Sequence, residues 1–272
     1  MAGVLTPEFE TAFGWRTEAE DCRIDCDPQL VEAAVSEAVR GSKVDRGFQL
    51  AREACYGVRD IEARDRAFAK LYNDWFVRLR LADPVLEAIA QRPSISARTA
   101  RRVLAPAIRR QDECAELYGN HGGNAAGRPY LVLRLRPESF GYPEHIARLL
   151  RHELMHIEDM LDPAFGYDPT PSQFNDSEGV PALIRDRYCV LWDTYIDGRL
   201  YREGRAGGGT RGKRLEEFGR AFPMLGAPTV AVFESVFDAN DLDHQYLLEC
   251  SRAPLRLLER VAAKTETPIG TG

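Results

Sequence analysis

The sequence predicts an α+β protein that is mainly helical and carries one short sheet. Apolar residues recur at three- and four-residue spacing through most of the 272 residues, as a buried helix face requires. A strand-like alternation stands out at residues 129–136 (PYLVLRLR), between polar turn residues. We therefore expect a helical N-terminal region over residues 1–118, a core with the sheet over 119–264, and a disordered tail over 265–272.

The N-terminal region is predicted to hold four helices and no chemical motif. Helical periodicity covers residues 28–40, 61–81, 84–91 and 96–117. The arginine pairs within 96–117 are interpreted as the solvated side of a helix. We expect this region to act as a scaffold that packs on the core or helps to shape a cleft.

The strand is followed by a helix with clear start and stop signals. Pro143 and Glu144 occupy its first turn, and Asp162-Pro163 ends it, because the residue before a proline avoids the helical region. Its apolar positions are spaced to pack against a core: Ile146, Leu149, Leu150, Leu154 and Ile157. Further helices are predicted over residues 181–203, 213–222, 229–237 and 242–263.

The composition is that of a folded protein without a strongly basic surface. Apolar residues make up 44% of the chain, and the net charge of −6 argues against a general nucleic-acid binder. The first residues lack the basic start and apolar run of a secretory signal, and no run of about 18 apolar residues predicts a membrane span. We therefore expect a cytoplasmic protein that binds neither nucleic acid nor membranes, with its six cysteines reduced.

The most informative motif is His152-Glu153-Leu154-Met155-His156, within the helix after the strand. Two histidines four residues apart project from one helix face, so both imidazoles can reach one metal ion. Glu153 flanks that face, where its carboxylate can take a proton from an attacking water. This HExxH motif resembles the zincin superfamily of zinc metallopeptidases. The resemblance implies a zincin-like core, a Zn²⁺ cofactor held by His152 and His156, Glu153 as general base, and a peptide or protein substrate.

A catalytic zinc ion usually has a third protein ligand, and Asp162 is the first candidate. Asp162 lies ten residues after His152, the spacing of the third ligand in metzincins. Those proteins turn the chain sharply at a glycine, where this sequence has Asp159. If the helix instead continues to Leu161, Asp162 lies away from the histidine face. Asp159 itself could orient a histidine or compete as a ligand.

Asp193 and Asp197 are the second pair of candidates for the third ligand. They lie four residues apart on one face of the helix over residues 181–203. The segment resembles the downstream helix of gluzincins, with Asp193 as the ligand and Asp197 as the residue that orients a histidine. The reverse assignment stays open. So does a structural alternative, in which both aspartates pair with Arg185, Arg187 or Arg199 on a solvated face.

Hydrolysis of a carbonyl compound also requires a group that stabilises the oxyanion. His244 and Tyr195 are the candidates for this role, although no motif places them. His145, about 10 Å along the helix from His152, is expected to be a surface or second-site residue.

Two other interpretations stand beside the zinc hydrolase, which is the leading one. The pair Glu153 and His156, together with Asp241 and His244, could belong to a dimetal-carboxylate centre in a helical bundle. A zincin-like chain could also be catalytically inactive and bind a partner, or hold its metal structurally. A structural zinc site is closed by four protein ligands, whereas a catalytic one keeps an open position.

Overall fold

The structure is a computed structural model that describes residues 24–119, 127–168, 180–207 and 209–266. It confirms a mainly helical α+β protein with one small mixed sheet. The chain divides into two compact units, Met1–Ile157 and Glu158–Gly272. This division falls inside the helix that carries HExxH, downstream of the boundary expected at residue 118.

Five helices of the first unit precede most of its sheet: α1 (Pro28–Val39), α2 (Asp45–Tyr56), α3 (Ile61–Arg78), α4 (Asp83–Ala90) and α5 (Pro93–Arg98). Side-chain caps explain where two of them begin. The carboxylate of Asp27 accepts the backbone N–H of Gln29 at 2.8 Å, and that of Asp60 accepts the N–H of Ala63 at 2.7 Å. The helices predicted at 28–40, 61–81 and 84–91 are confirmed, whereas α2 was not predicted.

The sheet of the first unit has four strands in the order β1-β2-β4-β3. They are β1 (Asp25–Cys26), β2 (Arg101–Pro106), β3 (Cys114–Tyr118) and β4 (Tyr130–Leu135). β2 runs parallel to both β1 and β4, whereas β3 is antiparallel to β4 and forms one edge. Leu104, Leu131 and Leu133 are buried, so the middle of the sheet contributes to the core. The strand predicted at 129–136 is confirmed as β4.

The prediction of one helix over residues 96–117 is wrong. α5 ends at Arg98, and the same stretch then forms β2, a short 3-10 turn at Arg110–Asp112, and β3. Short apolar runs cannot be assigned to helix or strand by spacing alone. Pro106 was the sequence feature that argued against a helix here, because a proline inside a helix removes one hydrogen bond and clashes with the preceding turn. The Arg101-Arg102 pair therefore lies on a strand and not on a solvated helix face.

A 3-10 turn at Pro137–Gly141 leads into α6 (Pro143–Leu161), which carries the HExxH residues. The predicted buried face of this helix is confirmed at four of five positions. Ile146, Leu150, Leu154 and Ile157 are fully buried, whereas Leu149 is half-buried. Burial of this apolar face holds the opposite, polar face in a fixed orientation.

The second unit contains five more helices: α7 (Val180–Arg202), α8 (Thr210–Ala221), α9 (Thr229–Phe237), α10 (His244–Arg252) and α11 (Leu257–Glu266). Phenylalanines from α8 and α9 form part of its core, and the rings of Phe218 and Phe233 meet edge to face with centroids 5.7 Å apart. The helix predicted over 242–263 is two helices, separated by a 3-10 turn at Pro254–Arg256. α11 reaches Glu266, so the predicted tail begins in a helix, and residues 267–272 lie outside the described residues.

Two expectations from the composition concern membranes and cysteines. Within the described part of the chain, no helix is both long enough and apolar enough to cross a bilayer. The cysteines in that part are free thiols: Cys26, Cys55, Cys114, Cys189 and Cys250.

Gly198 marks a close approach between α7 and α9. A Cβ atom built at this position would lie 1.7 Å from the backbone oxygen of Phe237. We expect Gly198→Ala to lower the free energy of unfolding by about 1–3 kcal/mol, because the helices must move apart. Gly219→Ala in α8 is the matched control, since its Cβ would meet no atom within 4 Å. Urea titration measures both variants, and equal stability of the two would contradict this packing.

Candidate metal centre

α6 brings the two motif histidines together on its polar face. His152 and His156 lie one turn apart and are both half-buried. Their ring centroids are 5.0 Å apart with an interplanar angle of 70°. The Nε2 atoms of the two rings approach to 3.3 Å. Each histidine therefore directs the same ring nitrogen towards one point beside the helix.

The distance between these nitrogens fits a shared metal ion. With Zn–N bonds of about 2.0–2.1 Å and tetrahedral angles, two nitrogen ligands lie about 3.3–3.4 Å apart. A direct hydrogen bond between the rings explains the distance less well, since good bonds from nitrogen donors span about 2.7–3.2 Å. Two imidazoles are also donors that zinc prefers. The donor atoms of α6 thus fit zinc.

Glu153 is anchored to the edge strand of the sheet. Its Oε2 accepts the backbone N–H of Ala115 in β3 at 3.2 Å. Ala115 pairs with Leu133 in the antiparallel β3–β4 ladder. The hydrogen bond from Ala115 restricts the Glu153 side chain beside the two histidines. Ala115 acts through its backbone, which explains why no side-chain motif indicated it.

Cys114, next to Ala115, is a poor competitor for a metal. Burial, together with the nearby carboxylates of Glu116 and Glu153, raises the pKa of its thiol to about 11. Its Sγ donates to the backbone oxygen of Asp112 at 3.4 Å. Because metals bind the thiolate, a thiol that stays protonated at neutral pH leaves binding to the histidines.

The two candidate aspartates of α7 are held by an arginine that the sequence did not indicate. Arg214 of α8 donates through Nη1 to Asp193 at 2.9 Å and through Nε to Asp197 at 2.8 Å. The same Nη1 lies 2.8 Å from Glu217. Three carboxylates therefore share one guanidinium. The aspartates do form ion pairs, as the structural alternative supposed, but with Arg214.

The two aspartates differ in accessibility. The side chain of Asp193 is 28% exposed, whereas that of Asp197 is 7% exposed. Asp193 can therefore meet a ligand from solvent more readily, and Asp197 is placed to hold Arg214.

Arg185, Arg187 and Arg199 were the arginines expected to pair with these aspartates. Arg187 donates to the backbone oxygen of Ala221 at 3.4 Å, and Arg199 binds a carboxylate of α6.

That carboxylate belongs to Asp159, in the part of α6 that lies in the second unit. Asp159 is buried and accepts two hydrogen bonds from Arg199, at 2.8 and 2.5 Å. The indole Nε1 of Trp192 donates to it at 2.8 Å. Asp159 thus fastens the end of α6 to α7 and already has several strong donors, which makes it a poor metal ligand.

Asp162 begins the turn that follows α6. The helix continues through Asp159 to Leu161 without the sharp bend that metzincins have at this place. The carboxylate of Asp162 accepts the backbone N–H of Ala164 at 3.0 Å. About nine helical residues separate His152 from Leu161, a distance of roughly 13 Å along the axis. These observations argue against Asp162 as the third ligand.

His244 and Tyr195 are both buried in the second unit. The Nδ1 of His244 lies 2.7 Å from the hydroxyl of Tyr188, while its buried Nε2 has no hydrogen-bond partner among the described residues. Burial lowers the pKa of His244 against the opposing effect of Asp168 and Asp243 and thereby favours the neutral ring. The Arg199 guanidinium lies 4.3 Å from the ring centroid of Tyr195. The structure therefore shows both residues in packed surroundings.

His145 and the second ExxH-like pair have other structural partners. The Nε2 of His145 lies 3.2 Å from the buried carboxylate of Glu113. Asp241 lies before α10, is 70% exposed and forms an ion pair with Arg260 at 2.5 Å. Asp241 and His244 thus do not share a helix face, which argues against the dimetal interpretation.

Comparisons with known proteins give this chain no relatives. No protein-family model, no curated protein and no solved structure matches it.

Proposed function

We propose that the protein is a zinc-dependent hydrolase and that its substrate is a peptide or protein. The observation that carries the proposal is the convergence of the His152 and His156 Nε2 atoms to 3.3 Å, beside a glutamate anchored to the sheet. The resemblance of HExxH to zincins supports the choice of peptide bonds as substrate. Under this proposal, the strand, the following helix and the edge strand form a zincin-like core.

In line with the gluzincin resemblance, we propose that the ion is held by His152, His156 and Asp193. Asp193 is the more exposed aspartate of α7, and it immediately follows Trp192, which bonds to the last turn of α6. Arg214 would then position the Asp193 carboxylate, because its Nη1 donates to Asp193 while its Nε donates to Asp197. Zinc bound by three protein ligands would polarise the scissile carbonyl and lower the pKa of the attacking water.

Glu153 would accept the proton of that water. The bond from Ala115 to Oε2 orients the carboxylate, and Oε1 stays available for proton transfer. The donor is a backbone amide, which does not titrate, so this bond orients Glu153 without exchanging a proton with it. His244 and Tyr195, which are both buried, are the residues proposed to stabilise the oxyanion.

A catalytically inactive zincin-like binding protein is the second candidate. It is favoured by the bonds from Arg214 to Asp193 and Asp197, which already partly neutralise the carboxylates proposed for metal binding. In this case, the chain would bind no zinc or would bind it without hydrolysis.

Metal content tests the proposal. We expect about one zinc ion per chain, by plasma mass spectrometry, in protein purified without chelator or metal-affinity resin. His156→Ala should lose the zinc, and Asp193→Asn should weaken its binding, whereas Asp162→Asn should not. His145→Ala is the matched control on the same helix.

The other outcomes separate the alternatives. Zinc in the wild-type protein without hydrolysis of any peptide in a library would favour the inactive binding protein. Two iron or manganese ions per chain would favour the dimetal centre. A wild-type protein that takes up no zinc, even when zinc is added, would overturn the proposal.

A further inference from the structure

A cavity of about 500 Å³ lies among α1, α2 and α3 of the first unit. α1 and α2 each pack against α3, and no comparable contact joins α1 to α2 within the described residues. α3 therefore forms the floor of the cavity, and the other two helices form its walls. Sites for small molecules have volumes of about 300–1,000 Å³. None of the HExxH residues lines this cavity.

Charged groups of both signs line the cavity. Arg52 of α2 supplies a guanidinium, while Glu32 of α1 and Asp65 of α3 supply carboxylates. The Nε of Arg52 is buried and has no hydrogen-bond partner among the described residues. Its Nη2 donates to the Tyr56 hydroxyl at 3.3 Å. A buried donor without a partner is unfavourable, and an acceptor on a bound molecule would satisfy it.

Aromatic rings supply the apolar part of the same cavity. The rings of Tyr56 and Phe68 meet edge to face, with centroids 4.9 Å apart. Tyr56 is 58% exposed, so its ring is accessible from solvent. Tyr72 lies deeper and is almost fully buried. The cavity thus has an aromatic wall next to a cation and two anions.

We propose that this cavity binds a zwitterion of the α-amino-acid type that carries an aromatic or large apolar side chain. The carboxylate of the ligand pairs with Arg52, its ammonium group with Glu32 and Asp65, and its side chain packs on the aromatic wall. A simple anion fits less well, because the two carboxylates would repel it. A small inorganic cation would leave the aromatic wall and Arg52 unused.

Calorimetric titration of the full chain with L-phenylalanine tests the proposal. We expect saturable binding with a Kd below about 1 mM. Phenylethylamine lacks the carboxylate and 3-phenylpropionate lacks the ammonium group, and each should bind at least about tenfold more weakly. Hydrolysis of peptides and zinc content play no part in this measurement, so its result is independent of the proposed function.

Variants assign the binding to the cavity. Arg52→Met should weaken phenylalanine binding by about tenfold or more but should not weaken the binding of phenylethylamine, which has no carboxylate to pair with Arg52. Asp65→Asn should weaken phenylalanine binding, whereas it should not weaken that of 3-phenylpropionate, because the anion is then repelled by one carboxylate fewer. Arg46→Met, an exposed arginine of the same helix, is the matched control. Circular dichroism verifies that each variant is folded.

Two results would overturn the proposal. One is the absence of saturable binding up to about 10 mM phenylalanine. The other is binding that Arg52→Met leaves unchanged. If Arg52→Met does not fold, the comparison of the three ligands on the wild-type protein, together with Asp65→Asn, still decides.

Discussion

Glu153→Gln is expected to lower kcat for peptide hydrolysis by about 10²–10⁴-fold and to leave zinc bound. Glutamine has nearly the same shape and can still accept the Ala115 N–H through its amide oxygen. It cannot accept a proton from the attacking water, so the rate of the chemical step should fall while zinc binding is unchanged. Steady-state kinetics on a cleavable peptide, with metal content measured on the same sample, give both quantities.

Glu144→Gln, in the exposed first turn of α6, is the control for this substitution. It removes the same charge from the same helix, far from the two histidines. If Glu153→Gln and Glu144→Gln had equal effects on kcat, Glu153 would not be the general base.

Asp159→Ala is expected to lower the free energy of unfolding by about 3–5 kcal/mol. Asp159 is 4% exposed and accepts hydrogen bonds from Arg199 and from the indole of Trp192. Removing the carboxylate leaves a largely buried guanidinium and a buried indole N–H without their acceptor. Urea titration with tryptophan fluorescence would measure the change.

Asp74→Ala provides the comparison for an exposed ion pair. Asp74 binds Lys70 at 2.7 Å, and both side chains are more than half exposed, so the loss should stay below about 1 kcal/mol. If Asp159→Ala cost no more than Asp74→Ala, the network would not be what fastens α6 to α7.

Much of the helical architecture could be predicted because periodicity and capping are local signals. α1, α6 and α9 follow the predicted ranges closely, and the buried face of α6 matches its apolar spacing. β4 was recognisable because its apolar run lies between turn residues. β2 and β3 were not, since their pairing with β4 depends on contacts far along the chain. Helix-like spacing in 96–117 was overridden by that pairing.

The candidate site was predictable only as far as one helix extends. Two histidines and a glutamate on α6 follow from five consecutive residues, and their geometry is set by the helix itself. The partners of that motif come from other elements. Neither the Ala115 N–H nor Arg214 has a sequence pattern that connects it to HExxH or to the α7 aspartates. Only the folded chain shows them.

The bond between Glu153 and Ala115 has a consequence for self-association. An edge strand exposes unpaired N–H and C=O groups, to which a strand from another molecule can add. On β3, the Ala115 N–H is already taken by Glu153. A foreign strand that paired along the whole of β3 would have to displace this carboxylate. Growth of the sheet along the whole of β3 would therefore also release Glu153, the proposed general base, from its position.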